Sequence, residues 1–312
     1  MNRSKKQGRA SGRQKQRKLR LSIVALALVA LTLISGAFVY KNRSSISNRK
    51  YEFYYNFKVS LDRTFTEVRL KEKSPSNYTL KEYSVSEIKS DPKISYDNSL
   101  VLINSKHKVP SDIDGYVSEY KDKNVYMHKA MMKPYEELAG YINEKYGKKL
   151  FISSAYRTRE KQEEIAASMD SERAAAPDAS EHRTGLALDV YVKNYSGEGF
   201  IKSPEGVYIN LNAYKYGLII RYPANKTDVT EFMFEPWHLR YVGKPHAEIM
   251  YRNNLCLEEY IASLKIGAFY EAGGYIISRQ SGDSLQIPQN VKSVSVSPDN
   301  TGSYIITAEK VR

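Results

Sequence analysis

The sequence is poor in cysteine, and this limits how the fold can be stabilised. Cys256 is the only cysteine among 312 residues, so no disulfide can form within the chain. A chain of this length can bury a sizeable core in one or two domains, and 41% of its residues are hydrophobic. The fold must therefore depend on that core, or on a bound metal, rather than on disulfides.

Acidic residues are absent from the first 20 positions, which carry nine lysines and arginines. The remaining 292 residues carry 39 basic and 35 acidic side chains, so most of the net charge of +13 belongs to this tail. A nucleic-acid-binding domain would need a basic face on its folded part. The charge distribution therefore argues against nucleic acid as a partner.

Residues 21–40, which follow the basic tail, contain no charged side chain. Twenty residues at about 1.5 Å rise per residue are long enough to cross a hydrocarbon layer of roughly 30 Å as a helix. The basic residues before them favour a cytoplasmic N-terminus. We predict an uncleaved transmembrane signal anchor in the cell membrane, with the rest of the chain outside the cytoplasm; a cleaved signal peptide is the alternative.

The rest of the chain changes texture twice. Residues 41–97 are polar without a lasting period, which is typical of an extracellular stalk or linker. Over residues 98–265, strand-like alternation and helix-like spacing follow one another, which predicts an α+β domain. Residues 266–312 consist of short β-type runs broken by turn residues, which predicts a small β-rich C-terminal segment.

Histidine is scarce, yet two of the five histidines lie in chemically dense segments. His182 lies seven residues before Asp189 in SEHRTGLALDV, and His238 lies three residues after Glu235 in EPWH. Two imidazoles and a carboxylate are good ligands for Zn²⁺, and three protein ligands leave one position for water. The sequence therefore predicts a zinc site formed by His182, Asp189 and His238.

Two further residues are placed to act on a water molecule at that site. Glu235 cannot share the strand face of His238, because Pro236 marks a turn between them, so it can act as a general base without being a ligand. Arg157, in SSAYRTREKQ, follows a predicted strand and can stabilise developing negative charge. His246 is expected at the surface or at a helix cap, because a fourth protein ligand would close the site to water.

Three blocks of the sequence, SSAYRTREKQ, SEHRTGLALDV and FEPWHLRYVG, resemble the signature blocks of the zinc D-Ala-D-Ala carboxypeptidases of the VanY type. The pattern S-x-H-x-x-G-x-A-x-D is met by Ser180, His182, Gly185, Ala187 and Asp189. The resemblance covers roughly residues 98–312 and extends to the membrane-bound VanY proteins of glycopeptide resistance. The chain departs from the pattern at Ala155, where relatives commonly have glycine, and in PDASEH, where many have Pro-Gly.

The resemblance implies a fold, a cofactor and a set of roles. The fold is a small antiparallel sheet flanked by helices, as in the zinc D-Ala-D-Ala peptidases and Hedgehog-like domains. The implied zinc ligands are His182, Asp189 and His238. Glu235 is the implied catalytic base, and Arg157 is implied to polarise the scissile carbonyl. Gln162 and Ser180 are implied to hold the peptide and its terminal carboxylate. Tyr156 either lines the cleft or packs in the core.

The implied reaction is removal of the C-terminal D-alanine from peptidoglycan stem peptides. An L,D-carboxypeptidase acting on tetrapeptide stems is an alternative in the same family, and a non-enzymatic cell-wall-binding module on the same scaffold is another. A serine-type D,D-peptidase is disfavoured. The two S-x-x-K matches, at Ser47–Lys50 and Ser86–Lys89, lie in the predicted linker and are not accompanied by a K-T-G motif. The sequence predicts no oligomeric state.

Overall fold

The computed structural model describes residues 47–63, 66–111, 113–121, 123–168 and 175–311. The chain divides into two compact units, residues 1–55 and 56–312. Of the first unit the structure describes residues 47–55, which contain the first turns of helix α1 (Asn48–Arg63). No helix within the described ranges combines the length and hydrophobicity needed to cross a bilayer. The predicted basic tail (1–20) and membrane anchor (21–40) lie outside those ranges.

The second unit alternates short helices and strands. Its α-helices are α2 (Val85–Ser90), α3 (Lys129–Tyr146), α4 (Arg159–Ser168), α5 (Pro204–Asn212), α6 (Thr227–Thr230), α7 (His246–Arg252) and α8 (Leu257–Ser263). Among its described residues, the first nine strands are β1 (Lys71–Lys73), β2 (Leu80–Ser84), β3 (Ile94–Tyr96), β4 (Val117–Glu119), β5 (Tyr126–His128), β6 (Phe151–Ser154), β7 (Ala187–Tyr191), β8 (Leu218–Ile220) and β9 (His238–Tyr241). The last five are β10 (Phe269–Ala272), β11 (Tyr275–Gln280), β12 (Ser284–Pro288), β13 (Val291–Pro298) and β14 (Tyr304–Lys310).

A four-stranded antiparallel sheet, in the order β6-β7-β9-β8, forms the centre of the predicted α+β domain. Leu188 and Leu239 pair across β7 and β9 and are both fully buried. They belong to one core cluster with residues of α3, among them Leu138 and Ile142. The predicted antiparallel sheet flanked by helices is therefore confirmed for the described residues.

A second, six-stranded sheet combines strands from residues 71–96 with strands from residues 269–310. Its order is β1-β10-β11-β14-β13-β3, and β2 pairs with β12 beside it. All these pairs are antiparallel except β3–β13, which is parallel. The prediction of a stalk over residues 41–97 is thus wrong for residues 71–96, and residues 266–312 form no separate appendage. The three N-terminal strands are short and partly exposed, so no hydrophobic period reveals them.

His246 connects two helices to the six-stranded sheet from a buried position, whereas a place at the surface or at a helix cap was predicted. Its imidazole is buried at the start of α7. Nδ1 lies 2.6 Å from the hydroxyl of Tyr260 in α8, and Nε2 lies 2.8 Å from Oγ1 of Thr307 in β14. Burial lowers the pKa of His246 to about 3. The neutral imidazole can donate one of these hydrogen bonds and accept the other.

The neutral state of His246 predicts a pH dependence of stability. Its pKa in the folded chain, about 3, lies below the ordinary value of 6.5. Between these two pKa values, His246 takes up a proton when the chain unfolds. Its contribution to stability is therefore fully present above pH 6.5 and is lost as the pH falls toward 3. Each pH unit in this range costs about 1.4 kcal/mol. Between pH 6.5 and 4.5, the unfolding free energy of the wild type should therefore fall by about 2–3 kcal/mol more than that of His246→Gln.

The measurement is urea unfolding over this pH range, with a chelator present so that metal binding does not contribute. His107→Gln is the matched control, because His107 is half-buried and contacts Asn104 instead of bridging helices and sheet. Its curve should parallel that of the wild type. A His246→Gln curve that also ran parallel to the wild type would contradict the prediction.

Candidate active site

The register of two strands sets Asp189 and His238 side by side. The two residues pair directly across β7 and β9, one step from the Leu188–Leu239 pair. Side chains alternate between the faces of a strand, so the leucines enter the core while Asp189 and His238 project from the opposite face. Directly paired residues have Cβ atoms about 5 Å apart, which lets their side chains meet. The hydrophobic pattern of the strands therefore positions the polar pair.

His182 approaches this pair from a 3₁₀ turn, Glu181–Thr184, that leads into β7. The turn ends at Gly185, whose φ of 67° lies in the left-handed region. A Cβ atom there would lie 2.7 Å from the backbone nitrogen of His128, so only glycine fits. Nδ1 of His182 donates a hydrogen bond of 2.8 Å to the carbonyl oxygen of Ala155. Nε2 is thereby directed at Asp189, whose Oδ2 lies 3.3 Å away.

The three side chains form a candidate metal site. One ligand atom from each of His182, Asp189 and His238 lies within 4.8 Å of the other two. Nδ1 of His238 lies 3.3 Å from Oδ1 of Asp189. That carboxylate oxygen is buried and accepts no hydrogen bond from any described residue. Two imidazoles and a carboxylate oxygen in need of a partner fit Zn²⁺, with a position left for water.

The charges of the triad are strongly coupled. Burial alone would raise the pKa of Asp189, but the adjacent imidazoles of His182 and His238 outweigh burial and hold that pKa well below its usual range. Burial lowers the pKa of His182 despite the proximity of Asp189. Burial also disfavours the charged form of His238, yet Asp189, Glu181 and Glu235 together raise its pKa well above its ordinary value. The carboxylates therefore make the site attractive to a cation.

Glu235 lies beside the triad but outside strand β9, as predicted. Its Oε2 lies 3.3 Å from Nδ1 of His238, and its side chain retains 16% exposure. A tight turn fixes this position: the backbone NH of Glu235 donates to the carbonyl of Tyr222, and that of His238 donates to the carbonyl of Glu235. Asn210 holds the turn by donating to the carbonyl of Pro236. The carboxylate can therefore reach a water molecule at the metal position.

Arg157 forms an ion pair with the carboxylate of Asp189. Its Nη2 donates to Oδ2 of Asp189 at 3.2 Å, and its Nε donates to Oγ of Ser154 at 2.8 Å. Burial lowers the pKa of Arg157, and the carboxylates of Asp189 and Glu235 oppose that shift. The guanidinium is thus a positive charge, largely shielded from solvent, at the edge of the triad.

Two of the residues predicted to hold substrate lie in a hydrogen-bond chain that ends at Arg157. Gln162 is fully buried, and its Oε1 accepts hydrogen bonds from Nη1 of Arg157 at 2.8 Å and from the hydroxyl of Ser180 at 3.2 Å. Through these contacts Gln162 holds Arg157, and Ser180 holds Gln162. Their contact with substrate stays a prediction. Tyr156 is half-buried, and its hydroxyl accepts a hydrogen bond of 3.4 Å from Arg183.

Sequence reasoning missed a buried cluster of charges beneath His238. Glu181, Arg221 and Arg240 are all fully buried, although such residues are usually exposed. Oε1 of Glu181 accepts a 2.6 Å hydrogen bond from each arginine. One signal was available in the sequence, because Arg240 lies two residues after His238 and therefore on the same strand face. Nothing in the sequence marked Glu181 or Arg221 as buried.

Comparisons with known proteins find a matching family, relatives of similar sequence and a solved structure of similar fold. A family model described as VanY, D-alanyl-D-alanine carboxypeptidase, matches residues 124–244. A D-alanyl-D-alanine carboxypeptidase of Enterococcus faecium is 33% identical over 305 residues, which cover 90% of this chain and 94% of that protein. Another, of Enterococcus faecalis, is 33% identical over 186 residues, covering 54% and 67%. A crystal structure of the vancomycin resistance D,D-dipeptidase VanXYg, in complex with a D-Ala-D-Ala phosphinate analogue, has a TM-score of 0.59 at 24% identity and covers 74% of this chain and 98% of its own. That likeness shows a common fold.

Proposed function

The chain belongs to the VanY family of D-alanyl-D-alanine carboxypeptidases, and on that premise we propose that it removes the C-terminal D-alanine from peptidoglycan stem peptides with the help of zinc. One observation carries the proposal: ligand atoms of His182, Asp189 and His238 lie within 4.8 Å of one another, and Oε2 of Glu235 lies 3.3 Å from His238. A site with an additional carboxylate beside three ligands suits hydrolysis, whereas a binding module would need only the ligands.

The residues divide the chemistry between them. His182, Asp189 and His238 would hold Zn²⁺, which when bound acts as a Lewis acid and lowers the pKa of water to about 7. The carboxylate of Glu235 takes the proton of the attacking water and passes it to the nitrogen of the leaving D-alanine. One proton is thereby moved from nucleophile to leaving group. One C–N bond breaks as one C–O bond forms.

Arg157 supplies positive charge where the peptide carbonyl oxygen becomes negative. Ser154 and Gln162 fix the guanidinium through Nε and Nη1, so its direction is set before substrate arrives. A preorganised donor in a site shielded from water stabilises charge more effectively than a mobile one. Gln162 in turn accepts a hydrogen bond from Ser180 and donates one to the carbonyl of Ala175. The side chain that orients Arg157 is therefore itself fixed.

The direct test is product analysis by mass. Purified chain is incubated with a pentapeptide stem ending in D-Ala-D-Ala and with the tetrapeptide that lacks the last residue, each with and without a chelator. We expect the pentapeptide to lose one alanine only when zinc is available, and the tetrapeptide to persist. Alanine release from the tetrapeptide alone would favour the L,D-carboxypeptidase, and release that a chelator does not affect would contradict the zinc mechanism.

Replacement of Arg157 should slow the chemical step while leaving zinc in place. Loss of one oxyanion donor typically lowers kcat by about 10²–10³-fold, and we expect a decrease of that size in Arg157→Ala. The matched control is Arg159→Ala, because the exposed Arg159 pairs with Glu163 and Asp178 on the outside of α4. Steady-state kinetics and zinc content are measured together. A kcat near the wild-type value in Arg157→Ala would remove the arginine from the mechanism.

The proposed substrate lies outside the cytoplasm, and the N-terminal sequence agrees with that location. Residues 1–20 carry nine positive charges and residues 21–40 carry none. A single-pass anchor with its N-terminus in the cytoplasm would hold the peptidase unit on the outer side, close to the cell wall. We therefore include membrane attachment through residues 21–40 in the proposal.

A further inference from the structure

Glu181 occupies a fully buried position between a proposed zinc ligand and two arginines. Its Oε1 accepts 2.6 Å hydrogen bonds from Nε of Arg221 and Nη1 of Arg240. Its Oε2 lies 3.7 Å from Nε2 of His238. Neither Oε2 nor Nε2 has a hydrogen-bond partner among the described residues. A buried acceptor and a buried ring nitrogen therefore face each other at a separation slightly longer than a hydrogen bond, and a small shift would let them pair.

The two proposed histidine ligands differ in how their second nitrogen is used. The Nδ1–H of His182 donates to the backbone carbonyl of Ala155, so Nε2 faces the metal position. In His238 the nitrogens are reversed, because Nδ1 faces Asp189 and Glu235 at 3.3 Å. Coordination through Nδ1 requires the ring proton to be on Nε2. The carboxylate oxygen facing that nitrogen is Oε2 of Glu181.

We propose that Glu181 is a positioning residue: it accepts a hydrogen bond from Nε2 of His238 and so keeps Nδ1 of that ring deprotonated and directed at the zinc site. This inference rests on the proposed function, because it assumes that His238 is a ligand. Metal-bound histidines usually donate their other N–H to a carboxylate, carbonyl or water, which fixes both tautomer and ring orientation.

The surrounding contacts fix the orientation of the Glu181 carboxylate. Arg221 also donates to both carboxylate oxygens of Glu258, at 2.6 and 2.9 Å. Arg240 also donates to the carbonyls of Ser99 and Val101, at 3.0 and 2.8 Å. Both arginines are thus anchored elsewhere, and together they hold Oε1 of Glu181. Oε2 is left pointing at His238.

Glu181→Gln distinguishes positioning from simple burial, because it nearly preserves size. The amide oxygen of glutamine can still accept from Arg221 and Arg240. The amide nitrogen would then face Nε2 of His238 as a donor. A donor opposite Nε2 favours the tautomer with its proton on Nδ1, and a protonated Nδ1 cannot coordinate the zinc.

The matched control is Glu258→Gln. It removes one negative charge from a half-buried carboxylate that pairs with the same Arg221. Among the described residues, no hydrogen bond or ion pair joins Glu258 to His238. Zinc dissociation constants are measured for both variants and the wild type by competition with a chromogenic chelator. We expect Glu181→Gln to bind zinc about 10–100-fold more weakly than the wild type, and Glu258→Gln to remain within about twofold.

Equal weakening in both variants would assign the effect to net charge and overturn the positioning role, as would an unchanged constant in Glu181→Gln. A wild-type chain that takes up no zinc would instead overturn the proposed function. A second measurement needs no variant: in zinc-loaded wild-type chain with ¹⁵N-labelled histidine, His238 should carry its proton on Nε2 and the metal on Nδ1. The opposite assignment would overturn the inference even if Glu181→Gln failed to fold.

Discussion

Glu235→Gln is expected to abolish most of the hydrolytic activity without loss of zinc. Glutamine has nearly the same size as glutamate but cannot accept the proton of the attacking water, so proton transfer to the leaving amine fails. Removal of a general base typically costs about 10²–10⁴-fold in rate, and we expect kcat to fall within that range while KM changes little. The carboxylate lies beside His238 and outside the ligand triad, so zinc binding should persist.

The variant is compared with Glu231→Gln, which changes an exposed glutamate on the same loop. Activity is followed by D-alanine release, and zinc content is measured on the same protein samples. The control should match the wild type in both. Undiminished D-alanine release by Glu235→Gln would remove this residue from the mechanism, and loss of zinc would make it a ligand instead of a base.

Asp189→Asn is expected to weaken zinc binding, and with it the stabilisation that zinc gives. The substitution removes the only carboxylate of the triad, whose oxygens lie 3.3 Å from both imidazoles. Loss of an outer partner of a ligand typically costs about 10–100-fold in metal affinity, so loss of a charged ligand should cost at least that. At a zinc concentration about 100 times the wild-type dissociation constant, the wild type should gain about 2.7 kcal/mol of unfolding free energy. The variant should gain no more than about 1.4 kcal/mol for a tenfold loss of affinity, and about 0.4 kcal/mol for a 100-fold loss.

Asp299→Asn provides the matched control. Asp299 is also buried and also pairs with an arginine, Arg279, at 2.7 Å, but it lies in the turn between β13 and β14. That variant should lose stability and still gain the full increment from zinc. Chemical unfolding with and without zinc measures both. A zinc increment in Asp189→Asn equal to that of the wild type would exclude Asp189 as a ligand.

Strand alternation is a local rule, so the sequence could predict which face of its strand each of two proposed ligands occupies. Leu188 must enter the core, so Asp189 must face away from it, and the same rule applies to Leu239 and His238. The turn at Pro236 likewise separates Glu235 from the strand. Each of these predictions needed only a few neighbouring residues, and the structure brings the four side chains together.

The contacts that the sequence could not reveal are distant or run against the usual burial of residue types. Strand β1 pairs with β10, and β3 with β13, so each short N-terminal strand depends on a partner near the other end of the chain. Glu181 and Arg221 can be buried because each neutralises the charge of the other inside the fold. The buried position of His246 depends on partners in α8 and β14, which its neighbours in the sequence do not reveal.

Anomalous diffraction from zinc-loaded crystals tests the central claim most directly. The account predicts one strong peak within about 2.0–2.2 Å of Nε2 of His182, Nδ1 of His238 and an oxygen of Asp189, with Glu235 uncoordinated and the fourth position open. A peak elsewhere, a triad without a peak, or a fourth protein atom in the open position would contradict it.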